Sequence, residues 1–184
     1  MPIIPSDDSA PMVENFLPYS PFLPGGIPLD GTYARYGGRL YACRSVRPQL
    51  GTDEVTELIL ISTAERPGTE WQLTREYPSC SHTEWTKTIA RTDAEETFAC
   101  SGSIVWHGIT ITGLDYLPKE NLVGGYMGFI NKDLEATRQT MEHLHRLDVG
   151  TWHGFVPLDE LEKLEIRREP WPETPQKPFW RFFR

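Results

Sequence analysis

The chain has 184 residues, 39% hydrophobic and 24% charged, which predicts one folded domain and excludes an intrinsically disordered chain. Acidic residues outnumber basic ones by 26 to 18, a net charge of −8 that excludes nucleic acid as the expected partner, because phosphate contacts need a concentrated basic face. The longest wholly aliphatic run, Leu58 to Ile61, falls far short of the ~20 residues that cross a bilayer, so no membrane partner is expected.

The N-terminal MPIIPSDDSAP lacks a basic region followed by an apolar stretch and does not read as a signal peptide. Cys43, Cys80 and Cys100 are odd in number and have no C-x-x-C spacing, which fits a reducing, cytoplasmic location better than a disulfide framework. Prolines then divide the chain. Seven of the 16 fall in the first 28 residues, and Pro170, Pro172, Pro175 and Pro178 crowd the end. Proline fixes φ and removes a backbone donor, so both ends are expected to be irregular. Residues 1–29 carry Phe16, Leu17, Tyr19, Phe22 and Leu23, too apolar for a free linker, and are read as an extended arm packed on the core.

A core domain is expected over residues 30–169. Thr32–Tyr36 and Arg39–Val46 flank Gly37-Gly38, a pair that tolerates the positive φ of a tight hairpin. Further strands are expected over Val55–Ser62, Trp71–Glu76, Thr83–Ala90, Ser103–Thr112 and Leu122–Ile130, several with period-2 alternation. Two helices follow in this reading: Lys132–Leu147, with Leu134, Met141 and Leu144 near one face, and a shorter one on the Leu158–Leu161–Leu164 spacing, opened by Pro157 and Asp159. Ile166–Glu169 adds a last strand. The expected fold class is therefore α+β, a single domain with a mainly antiparallel sheet of about seven strands and two late helices. Residues 170–184 form a tail whose KPFWRFFR (Lys177–Arg184) is expected to pack back on the core, since exposed rings on that scale promote aggregation.

The chemistry-bearing residues make no recognised motif. His143 and His145, two apart on the expected helix, point about 200° apart and do not share an ion. With no H-E-x-x-H and no zinc-spaced cysteine pair, neither a metal nor a cofactor is expected. Cys100 precedes Ser101-Gly102-Ser103, read as an exposing turn near His107, but nothing in sequence orients that imidazole. The glycines of Val123–Gly128 (VGGYMG) fall as G-G-x-x-G and are better read as a bulge or hairpin than as a phosphate loop. Trp-His-Gly occurs at Trp106–Gly108 and at Trp152–Gly154 without further alignment, so no duplication is inferred.

Surface character is the more informative signal. Acids lie on or beside expected strands, and Glu54, Glu57, Glu70 and Glu84 together with Trp71 and Trp85 make the expected partner-binding face. Aromatic side chains anchor protein interfaces, and a negative field speeds capture of a basic partner.

The hairpin GTYARYGGRLYACRS (Gly31–Ser45) and the closing GFVPLDELEKLEI (Gly154–Ile166) are similar to segments of small α+β bacterial immunity proteins, the cytoplasmic inhibitors of polymorphic toxins. The chain resembles that class in its general form. The resemblance implies a non-enzymatic inhibitor that occludes the active site of a more basic cognate toxin. The alternative is a small α+β hydrolase-type enzyme whose site assembles from Cys100, His107, Asp115 and His153. A concave pocket with two or more of those groups in hydrogen-bonding reach marks the enzyme; a broad, flatter acidic patch with exposed rings marks the binder.

Overall fold

The computed structural model describes residues 19–46, 55–63, 65–77, 82–128 and 135–171. Thirteen strands run through them. Two short ones, β1 (Phe22–Leu23) and β2 (Ile27–Pro28), pair only with each other. The others are β3 (Gly31–Tyr36), β4 (Arg39–Ser45), β5 (Glu57–Ser62), β6 (Gln72–Tyr77), β7 (His82–Ala90), β8 (Glu96–Trp106), β9 (Ile109–Leu117), β10 (Leu122–Met127), β11 (Glu142–Arg146), β12 (Trp152–Pro157) and β13 (Lys163–Pro170). They form one antiparallel sheet in the order β11-β12-β10-β9-β8-β3-β4-β5-β7-β6, with β13 on β8. Gly37 and Gly38 at the β3–β4 turn, and His107 and Gly108 at the β8–β9 turn, all have positive φ, as a two-residue hairpin whose twist matches its strands requires.

Strand β8 is the axis of the sheet. One of its edges is taken by β13, from Phe98 to Val105. Its other edge is shared: β3 pairs with Glu96–Cys100 and β9 with Ser103–Trp106. Two partners on one edge leave a fork at Gly102, where ladder donors lose their acceptors. Asp30 fills it, one carboxylate oxygen accepting the N–H of Gly102 at 3.0 Å and of Leu114 at 2.8 Å. Burial raises the Asp30 pKa above the ordinary aspartate value, outweighing those two bonds, which lower it. Beyond the fork, the edge of β9 is capped by a bridge between Ser20 and Tyr116.

Alternation along the strands sends apolar side chains to different faces in the two halves. In the β8–β12 half, Ile104, Ile111, Val123 and Val156 face a core closed by Leu23 and Leu29 and by Leu158 and Leu161 from the crossover into β13. In the β3–β7 half, Ala34, Cys43, Leu58, Leu60 and Ile89 pack with Trp71. A third cluster, Tyr33, Phe98 and Cys100, joins the halves, and the Tyr33 hydroxyl reaches the carbonyls of Pro21 and Leu29. Each fully buried apolar side chain contributes roughly 1.5–3 kcal/mol.

This architecture corrects the α+β expectation. The fold is mostly antiparallel β, and its helical content within the described residues is one turn, α1 (Glu135–Arg138), plus 3-10 turns at Arg91–Asp93 and Leu158–Glu160. Of the expected helix Lys132–Leu147, residues 132–134 lie outside the described residues, and Glu142–Arg146 is strand β11, paired with β12. The expected Leu158–Leu161–Leu164 helix is a single 3-10 turn running into β13, where Leu164 sits opposite Ile104. Pairing with an unfilled edge of β8 overrides the local helical spacing. The expected strand Ser103–Thr112 is the hairpin β8–β9. The proline-rich residues 1–18 and the tail from 172 onward lie outside the described residues. No described helix is long and apolar enough to cross a membrane.

Candidate functional site

The outer face of the β8–β12 half gathers several chemistry-bearing side chains. Register aligns Glu165 (β13), Ser103 (β8), Thr112 (β9), Tyr126 (β10), His153 (β12) and His145 (β11) in one row across six strands. A bulge makes the face possible. Ile109 and Ile111 point to the core, as do Leu114 and Tyr116, so the side-chain parity of β9 flips between them. The extra residue falls at Gly113, with φ +64°, and the β9–β10 register shifts between Gly124 and Tyr126. A one-residue insertion exchanges faces, and it is what turns Asp115 outward. Gly113 also admits the Tyr126 ring, which a Cβ there would meet at 2.6 Å. The bulge or hairpin expected of the Val123–Gly128 glycines lies instead on the facing strand β9, and Leu122–Met127 runs opposite it as strand β10.

His153 sits at the centre, only 4% exposed although it lies on the outer face. Rings surround it: Tyr126 edge-on at 5.0 Å, His145 at 5.0 Å and Phe155 edge-on at 5.1 Å. Phe155 in turn stacks on Tyr19 at 5.9 Å and meets His143 at 6.0 Å. The His153 Nε2 lies 3.7 Å from Asp115 Oδ2, an ion-pair distance but longer than a hydrogen bond, and its buried Nδ1 has no hydrogen-bond partner among the described residues. Nearby, His143 Nε2 lies 2.7 Å from Glu120 Oε2. The Tyr19 phenol is raised above its ordinary pKa by burial, then by the charge of Asp115 and by Tyr126. An imidazole held this way is fixed and insulated by rings beside a carboxylate, while Asp115 and Tyr126 stay accessible at 37% and 45%.

Of the four residues of the expected hydrolase site, the fold brings together only Asp115 and His153. Cys100 lies mid-strand, buried against Tyr33 and Phe98, and burial raises its thiol pKa. The expected exposing turn Ser101–Ser103 is instead part of β8. His107 sits at the β8–β9 turn against Trp106. His143 and His145 are on a strand, not a helix, so the helical argument against their sharing an ion does not apply. Among the described residues no group of three His, Cys, Asp or Glu is placed to hold a metal.

The expected partner-binding residues do not share one surface. Glu54 lies outside the described residues. Alternation puts Glu57 and Glu84 on the face opposite the Leu58–Leu60–Ile89 core. Glu84 is largely covered, 3.9 Å from Arg44. Trp71 is 2% exposed, packed on Tyr41 at 5.0 Å, and is core. Trp85 joins the same cluster with Arg66 over its ring, and Glu70 is paired with Lys87 at 3.1 Å.

No protein family, curated protein or solved structure matches this chain. The residue that sequence reasoning passed over is Tyr126. Little in the sequence signals it: the glycine that admits its ring is Gly113 of the neighbouring strand, whereas Gly124 and Gly125 make room for Phe155 and for backbone carbonyls.

Proposed function

We propose that the chain is a non-catalytic binding protein that captures a more basic protein and acts by covering it, as an immunity protein covers the active site of its toxin. One observation carries the reading: the six-strand row is an open sheet face on which Tyr126 is accessible near the Asp115 carboxylate, with Glu165, paired with Lys163, three strands away at the end of the row. Six strands at about 4.8 Å spacing span about 24 Å, a width suited to roughly 800 Å² per partner. An exposed tyrosine on a rigid strand is a low-entropy anchor, and the net charge of −8 favours a basic partner. This reading moves the binding face from the β5–β7 region to β9–β12. The test is capture from a native-host extract by the immobilised chain, compared with the double variant Asp115→Lys, Tyr126→Ala. A basic protein retained by the parent, released by salt and absent from the variant supports the reading; identical capture by both contradicts it.

A second reading, a hydrolase-type enzyme, is favoured by the Asp115–His153 juxtaposition alone. It requires turnover by the purified protein that is lost in a folded His153→Gln variant.

A further inference from the structure

A separate hollow lies on the far side of the β9 edge, between the β1–β2 hairpin and the β3–β4 hairpin. Its volume is about 660 Å³, within the ~300–1,000 Å³ of small-molecule sites. Phe22, Leu23, Pro24, Leu40, Tyr116 and Pro118 supply mostly apolar walls. These walls are fixed rather than collapsible. Phe22 packs on Tyr33 at 5.3 Å, Leu23 and Tyr116 belong to the main core, and Gly25 and Gly26 turn the hairpin with φ of +83° and +76°.

Two polar side chains besides the tyrosines line it, and they differ in what remains free. The Ser20 hydroxyl is committed at both ends, donating to the Phe22 carbonyl and accepting the Phe22 N–H. The Arg39 guanidinium has no hydrogen bond or ion pair with any described residue. The carboxylate held at this hairpin, that of Glu95, accepts the N–H of Gly38 instead. A guanidinium without a counter-ion among the described residues, beside an apolar hollow, has a definite complement. A single arginine binds a carboxylate bidentately, and apolar walls take a hydrocarbon or aromatic body.

We infer that this hollow binds a small amphiphilic carboxylate, its acid on Arg39 and its apolar body against Phe22, Leu40 and Tyr116. The site is distinct from the Asp115–His153 face, so either can fail without the other.

Isothermal titration with decanoate below its micelle concentration tests the inference, alongside decanol and decyltrimethylammonium. Saturable binding of decanoate, at least tenfold weaker binding of decanol and none of the cation are expected. Arg39→Gln should weaken decanoate at least tenfold and leave decanol unchanged, and Arg39→Lys, which keeps the charge but not the two-pronged fork, should recover only part of the loss. Amide shifts in a two-dimensional NMR titration should fall on Phe22, Leu40 and Tyr116 and spare Asp115 and His153. Equal affinity for decanoate and decanol, insensitivity to Arg39→Gln, or no saturable binding, as when another part of the chain fills the hollow, overturns it.

Discussion

Asp30 holds the fork at which β3 and β9 part along β8, and its replacement has effects that can be worked out from two bonds. In Asp30→Ala the N–H groups of Gly102 and Leu114 lose their acceptor. Hydrogen bonds to charged groups are worth roughly 1.5–3 kcal/mol each, and partial access of water at this half-buried site reduces the sum, so a loss of about 2–4 kcal/mol is expected. Asp30→Asn keeps a carbonyl acceptor of the same shape and removes a charge. Because burial is the largest influence on the Asp30 pKa, the neutral amide should cost less than about 1 kcal/mol at neutral pH. The two forms also differ in pH dependence. With its pKa raised from 3.8, folded Asp30 holds a proton more tightly than the unfolded chain does. That contribution to stability is complete below the unfolded value and disappears as pH rises through the folded one. Urea unfolding followed by tryptophan fluorescence at a series of pH values gives the difference between parent and Asp30→Asn, in which other carboxylates cancel. The parent should lose ground to the variant as pH rises across that interval. A flat difference, or an Asn variant as unstable as the Ala one, refutes the assignment.

Gly125→Ala should destabilise by about 3 kcal/mol, because its Cβ would run into the carbonyl oxygens of Thr112 and Gly113, while Gly128→Ala, with open space around it, should change thermal stability little. Tyr33→Phe removes a hydroxyl that reaches Pro21 O at 2.8 Å and Leu29 O at 3.0 Å, and should cost about 1–2 kcal/mol in denaturant titration. Burial pushes the Cys43 thiol up to about 11 and raises that of Cys100. Peptide mapping after iodoacetamide at pH 8 should therefore find both unmodified in the native protein and alkylated after unfolding; rapid native alkylation of either contradicts the packing described.

Hairpins were legible where the turn chemistry was local. Gly37-Gly38 between two alternating runs specifies β3–β4 without reference to the rest of the chain. The late helices were misread because the deciding interaction is remote. LDELEKLEIRRE (158–169) contains the Leu158–Leu161–Leu164 spacing of a helix, yet its second half also alternates, with Leu164 and Ile166 opposite Ile104 and Gly102 of a strand some sixty residues earlier. His143, at φ +49° beside a register shift, hides the strand character of β11 in the same way. At the site, Asp115 and His153 were named in sequence, but their union depends on the Gly113 bulge. Without that added residue Asp115 would face the core. Trp71 and Trp85 were read by alternation with acids, a pattern that defines two faces but not which one a distant segment covers.

The account turns on the outer face of β9–β12 being the surface that meets a partner. Quantitative mass spectrometry of proteins retained from native-host extract by the parent chain, by Asp115→Lys, Tyr126→Ala and by Glu57→Lys measures this directly. A basic protein held by the parent and by Glu57→Lys but lost from the double variant, whose unfolding temperature is unchanged, is the predicted result. Loss in Glu57→Lys with retention by the double variant, or catalytic turnover that depends on His153, would contradict it.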